Sequence, residues 1–234
     1  EKIGEKYLKP LEEEQRLYNN LGSMYYETGN YKQAKNYFEK AAELLSPTTP
    51  FYKDFFVNYK NNIASSLLKL ERFAEADSIY QSLLPFKINT NEILQNIGSI
   101  NLNLGNGEKA ISFFKKVRYN SSLNILLYNK ISKAFSIIGK PDSADKYLSL
   151  ALAENKKWNG DKKNVRHGLT LQYRGEQYLA ENKFKEAIND FQKAIVQFYP
   201  DYNELDIYKN PENFSGVFSY INLFNALTGK ADAF

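Results

Sequence analysis

Apolar and small residues recur along this 234-residue chain at the spacing of helices packed in pairs. Ala76, Ala110 and Ala144 stand 34 residues apart, each inside the same order of large and small positions. A helix-turn-helix pair of that length cannot bury its apolar face alone, so the recurrence predicts a stacked array of helical repeats. The first repeat reads Tyr18, Leu21, Gly22, Tyr25, Gly29, Tyr31, Ala34, Phe38 and Ala41. The third reads Leu94, Ile97, Gly98, Gly105, Ala110, Phe114 and Val117, and the fifth Leu171, Gly175, Tyr178, Phe184, Ala187, Phe191 and Ala194. The second (Ile63, Ala64, Leu67, Phe73, Ala76, Tyr80) and fourth (Tyr128, Ile131, Phe135, Gly139, Ala144, Leu148, Ala151) follow more loosely. Small residues at Gly22, Ala64, Gly98, Ser132 and Gly175 are expected to let the first helix of a repeat approach the second, where the five alanines from Ala34 to Ala187 answer them.

These residues resemble the tetratricopeptide pattern of W, L, G, Y, then A, F, A. The resemblance implies an all-α fold, a right-handed α-solenoid of about five helix-turn-helix repeats near residues 15–48, 57–90, 91–124, 125–158 and 168–201. A connector at 202–212 and a terminal helix at 213–234 follow, the helix either capping the array or opening a next repeat. One elongated domain is expected, since each repeat touches only its neighbours.

The register is interrupted twice. Ala34 to Ala76 spans 42 residues and Ala144 to Ala187 spans 43, so the links after repeats one and four are lengthened. The first holds Ser46-Pro47-Thr48-Thr49-Pro50 and the second Trp158-Asn159-Gly160-Asp161, clusters that end helices. Such insertions read either as tolerated surface loops or as elements that shape a partner contact. The first helix is expected to begin near Pro10, with Glu12, Glu13 and Glu14 on the favourable end of its dipole, and residues 1–9 to close an earlier repeat. A start at Glu1 without methionine and a stop at Phe234 within a helical pattern suggest a piece of a longer polypeptide.

Composition narrows the chemistry. With 43% hydrophobic and 25% charged residues and no apolar run near the ~20 residues that span a bilayer, neither a membrane segment nor disorder is expected. Zero cysteines exclude disulfides and thiol catalysis within the chain, and fit cytoplasm and periplasm equally. The net charge of +4 comes from lysines interleaved with acids, as in Lys183-Phe184-Lys185-Glu186, so no basic stripe points to nucleic acid. A lone histidine, His167, has no second histidine to share a metal and reads as a surface or capping residue. Neither enzymatic activity nor a cofactor is expected.

The surface of the array remains. In this architecture the first helix of each repeat lines the concave side. Two positions before Leu21, Ile63, Ile97, Ile131 and Arg174 stand the side-chain amides Asn19, Asn61, Gln95, Asn129 and Gln172. The next position adds Asn20, Asn62 and Asn96, then Lys130 and Tyr173, and three further on come Ser23, Ser65, Ser99, Lys133 and Glu176. An amide carries both donor and acceptor, so a ladder of them can pair with successive peptide groups of an extended chain whatever its sequence. Each bond contributes about 0.5–1.5 kcal/mol. The runs Tyr18-Asn19-Asn20-Leu21-Gly22 and Lys60-Asn61-Asn62-Ile63-Ala64 resemble the Leu-Asn-Asn-Leu-Ala text of kinesin-light-chain-type repeats, which implies an asparagine-lined groove. They differ from the lysine and arginine clamp of chaperone-binding repeats; only Lys130 and Lys133 offer local positive charge, so an internal or extended peptide is expected over a free C-terminal carboxylate. The competing reading is compositional, since Asn155, Asn182 and Asn189 fall on other faces.

The connector from Tyr199-Pro200-Asp201-Tyr202-Asn203 through Asp206 to Gly216 leads to a helix expected near Val217. It resembles the segment that, in Bacteroidetes-type bacterial proteins, joins a tetratricopeptide array to a C-terminal CHAT domain of caspase-like protease fold. That resemblance implies a regulatory array whose histidine and cysteine dyad lies beyond this chain. Three readings follow: a protein- or peptide-binding scaffold serving such a protease-like protein, a sensor or assembly module with a kinase or DNA-binding output domain, and an array that self-associates through its terminal repeats.

Overall fold

The computed structural model describes residues 2–119 and 121–234, with side chains from residue 12 onward. The described residues form α-helices and one 3-10 turn, without a strand. They divide into two compact units, Glu1–Leu104 and Gly105–Phe234.

The first unit contains α1 (Lys2–Glu27), α2 (Tyr31–Glu43), α3 (Tyr52–Lys69), α4 (Phe73–Leu83) and α5 (Thr90–Asn103), with a 3-10 turn at Leu84–Phe86. Consecutive helices pack on one another, and α3 also touches α5. Ala34, Phe38 and Ala41 of α2, Val57, Ile63 and Ala64 of α3, Ala76, Tyr80 and Leu83 of α4, and Ile93, Ile97 and Ile100 of α5 are buried. The small position has the expected cause. A Cβ on Gly22 would stand 2.6 Å from the Phe38 ring, so α1 and α2 come this close only because residue 22 lacks one.

The second unit contains α6 (Gly107–Phe114), α7 (Leu123–Ile137), α8 (Pro141–Asn159), α9 (Val165–Ala180), α10 (Phe184–Phe198) and α11 (Tyr220–Asp232). Here too the packing joins chain neighbours, supplemented by α7 on α9 and α9 on α11. Leu171, Ala194, Ile195, Phe198, Leu223 and Ala226 form one core, and Ala187, Ile188, Phe191 and Ala233 another, so α11 covers apolar surface of α9 and α10. Gly175 and Gly229 both approach the Phe191 ring, at 3.1 and 2.5 Å for an added Cβ.

The turn after the first helix of each repeat obeys the register. Gly29, Glu71, Gly105, Gly139 and Asn182 all have positive φ, between 58° and 81°. Glycine adopts this conformation freely, whereas Glu71 holds it against its own Cβ.

Three boundaries differ from expectation. Helix α1 begins at Lys2 and runs through Pro10, so residues 2–9 are not a separate helix. Proline lacks a single N–H, and a 26-residue helix keeps the rest of its ladder around that gap. The terminal helix starts at Tyr220 rather than near Val217 or at residue 213. The Phe218 N–H donates to the Phe198 carbonyl at 2.9 Å, and Ser219 is extended (φ −158°), which holds this strap against the end of α10 before a helix can begin. Finally, α11 ends at Asp232 with Ala233 as its cap, so Phe234 lies outside it. The first lengthened link is the loop between Glu43 and Tyr52; the second is taken up by a 19-residue α8 and a turn at Gly160.

Candidate binding site

Helices α1, α3 and α5 each present the same four register positions. They are Arg16, Asn19, Asn20 and Ser23 on α1, Asn58, Asn61, Asn62 and Ser65 on α3, and Glu92, Gln95, Asn96 and Ser99 on α5. Spacing of three and four residues puts each set on one helix face.

A cavity of about 460 Å³ in the first unit gathers them. It is lined by Arg16, Asn19 and Asn20 from α1, by Phe55, Asn58, Tyr59, Asn61 and Asn62 from α3, and by Asn89 and Glu92 at the start of α5. A neighbouring cavity of about 260 Å³ shares Asn62 and Glu92 and adds Ser23, Tyr26, Glu27, Phe38 and Ser65. Four of the amides expected from the register, Asn19, Asn20, Asn61 and Asn62, are thus brought together. Asn58, Asn89, Arg16 and Glu92 join them without having been expected. Arg16 and Asn58 precede Asn19 and Asn61 by three residues, one turn earlier on the same faces, and that offset was the available signal.

The amides are partly paired among themselves. Asn62 Nδ2 donates to Asn19 Oδ1 at 3.3 Å, Asn89 Nδ2 to Asn58 Oδ1 at 2.9 Å, and Asn61 Nδ2 to Glu92 Oε1 at 2.9 Å. Each such pair consumes one donor and one acceptor, and leaves the other half of each amide for something else. Asn61 is 6% exposed, and its Oδ1 is buried with no partner among the described residues. The rings of Phe55 and Tyr59 stack 6.0 Å apart to form an apolar wall.

Beneath the amides lies a hydroxyl node. Tyr80 of α4 is fully buried, shares a 2.9 Å hydrogen bond with Ser65 and accepts one from Asn96 Nδ2 at 3.0 Å. Burial raises its phenol pKa well above the ordinary value. Asn96 is therefore committed to Tyr80, and Gln95 is half-buried on the same face of α5.

In the second unit the register residues are placed differently. Asn129 of α7 is 1% exposed, and both its amide atoms are buried without a hydrogen-bond partner among the described residues. Gln172 of α9 is buried and donates to Glu176 Oε1 at 2.9 Å, with its own Oε1 unpaired among the described residues. Lys130 is half-buried, while Lys133 is exposed with its ammonium 5.9 Å from the Tyr173 ring centre. Arg174, the register position two places after Gln172, forks onto the buried Asp190 of α10 at 2.5 and 2.9 Å, which raises the arginine's pKa further. A cavity of about 340 Å³ between α7 and α9 is lined by Ser132, Lys133, Ser136, Ile137, Pro141, Tyr173, Glu176, Gln177, Ala180 and Glu181.

His167 sits half-buried in the first turn of α9, where Asn164, not the histidine, caps the helix by accepting the His167 N–H at 2.9 Å. Burial lowers the imidazole's pKa, against a hydrogen bond to Gln197 that raises it. Among the described residues no group of three metal-ligating side chains comes together, and no helix is long and apolar enough to cross a membrane.

The tetratricopeptide repeat profile matches residues 15–44 and 92–117, which span α1 with α2 and α5 with α6. Those two segments match the tetratricopeptide repeat. Solved structures extend the likeness to most of its length. A thermophilic tetratricopeptide protein of Thermus thermophilus is 19% identical, with 92% of this chain and 99% of that one covered at a TM-score of 0.62. The kinesin-light-chain repeats of Podospora anserina are 12% identical over 78% and 93% at 0.61, and Pseudomonas aeruginosa PilF 15% over 96% and 90% at 0.59. At these identities the likeness is one of fold, and the fold is the all-α tetratricopeptide type. No curated protein sequence matches the chain.

Proposed function

We propose that this chain is a non-catalytic scaffold that binds an extended segment of a protein partner, and that the main chain of that segment lies in the amide-lined cavity of the first unit. The observation that carries the reading is the convergence of Asn19, Asn20, Asn61 and Asn62 on one cavity with Asn58 and Asn89. A peptide backbone offers alternating N–H and C=O groups, and half-used amides offer the complementary set. The Phe55 and Tyr59 wall then supplies contact with the segment's side chains.

The test uses immobilised random 12-mer peptides. Asn20→Ala combined with Asn62→Ala is expected to lower retention about tenfold, since two bonds of about 0.7 kcal/mol each are lost, with helicity unchanged. Retention equal to the unsubstituted chain would remove the amide cavity from the reading.

The finer placement rests on the connector. Its resemblance to the segment preceding CHAT domains supports a regulatory array serving a protease-like protein, in which partner capture alters access to a distal catalytic domain. The intact mass and C-terminal sequence of the native polypeptide test it. A histidine and cysteine dyad downstream supports that placement, and a kinase or helix-turn-helix output domain selects the sensor or assembly module instead.

A further inference from the structure

We infer that the cavity between α7 and α9 in the second unit is a subsite for a cationic side chain, arginine or lysine, of a peptide segment; the inference rests on the peptide-binding reading above. Its walls suit a long aliphatic stem. Ile137, Tyr173 and Ala180 contribute apolar surface, and a charged side chain of this kind buries its methylenes while keeping its head at polar groups.

The polar end is built from acceptors. Gln177 is 8% exposed, and its Oε1 has no partner among the described residues. Its Nε2 donates to the Pro141 carbonyl and to Glu181 Oε1, both at 3.1 Å, which fixes the amide so that its oxygen is the atom left over. Glu176 lines the same cavity and, among the described residues, accepts only from Gln172 Nε2, an uncharged donor, so its negative charge is uncompensated by a close ion pair. Glu181 adds a second carboxylate, already bridged to Lys183 at 2.6 Å.

Helix ends add to the same sign. α7 stops at Ile137 and α9 at Ala180, so two carboxyl-terminal dipole ends face the cavity. The start of α8, a positive dipole end, faces it through Pro141 and is the one helix end of opposite sign, although Pro141 itself has no N–H to offer an anion. Lys133 is the opposing group; its ammonium lies towards Tyr173 rather than on either glutamate. An acidic side chain would meet two carboxylates and an amide oxygen, and an apolar one would leave the buried Gln177 acceptor unmet.

The experiment compares five immobilised pools of random nonapeptides whose central residue is fixed as arginine, lysine, citrulline, leucine or glutamate. The unsubstituted chain is expected to retain the arginine and lysine pools about threefold better than the citrulline and leucine pools, and the glutamate pool least, with the preference fading at high salt. Glu176→Gln with Glu181→Gln, both accessible positions, is expected to abolish the preference while leaving the leucine pool unchanged, and Lys133→Ala to enlarge it. Equal retention of all five pools, or a preference that survives the double substitution, overturns the subsite and leaves peptide binding standing. Retention of none overturns both. A double variant with lost helicity would be replaced by Glu176→Gln alone, for which a halved preference is expected and an unchanged one is fatal.

Discussion

At the scale of single residues, two positions show how local chemistry fixes the packing. Gly22 permits the approach of α1 to α2, where a Cβ would penetrate the buried Phe38 ring. The ring is 2% exposed and must give way towards the 260 Å³ cavity it lines, so Gly22→Ala is expected to destabilise the chain by about 1–3 kcal/mol in urea unfolding. A smaller loss would mean that α1 can shift outward. His167 gives the pH dependence. Its folded pKa lies below the ordinary 6.5, so as pH falls the unfolded chain takes up a proton first. The stability held by the neutral imidazole is complete above pH 6.5 and is lost as pH falls through the window below it, before most carboxylates titrate. The thermal midpoint is therefore expected to decline as pH falls below 6.5 in the unsubstituted chain and to decline less in His167→Gln. Parallel profiles would assign that slope to other groups.

At the scale of elements, the register made the helix pairs readable and left the connector opaque. Five turns with positive φ fall where the repeat pattern puts them, even where Glu71 and Asn182 stand in for glycine. The amide faces of α1, α3 and α5 were legible for the same reason, because a helix face is set by spacing alone. What holds the connector was not legible, since its contacts join residues 20 to 39 positions apart. Lys163 donates to the carbonyls of Tyr199, Pro200 and Tyr202 at 2.7–3.0 Å. Lys230, 3% exposed on α11, gives its three protons to Gln192 Oε1, the Lys209 carbonyl and Asn210 Oδ1 at 2.6–2.9 Å. In a linear reading both lysines are indistinguishable from the solvated ones around them. Burial lowers the pKa of each, and three neutral acceptors apiece keep the ammonium in place. Lys230→Met keeps the stem and removes the donors, so it is expected to cost about 2 kcal/mol and to speed hydrogen exchange at the Phe218 amide. Unchanged exchange there would show that Lys163 and the Gln192 bonds to Tyr202 and Glu204 suffice.

At the scale of the whole molecule, stability is a sum of neighbour contacts. Within Gly105–Phe234 every substantial helix contact joins elements at most two apart in the chain, and the cores around Phe198 and Phe191 are completed inside that unit by α11. In repeat architectures such locality means that a run of repeats folds without distant parts, provided that its ends are covered. One end of this unit is covered by a helix whose Leu223 and Ala226 are buried, together with its cap Ala233. Residues 105–234 produced alone are therefore expected to keep their helical signal per residue and to unfold in one cooperative transition. The same fragment retains the α7–α9 cavity but not the amide cavity of the first unit, so it separates the two binding contributions without a point substitution. Arginine-centred peptides should still be distinguished from citrulline-centred ones, at weaker overall retention. A fragment that melts without cooperativity would show that its core depends on residues before Gly105, and that the chain's stability is less local than the repeat pattern implies.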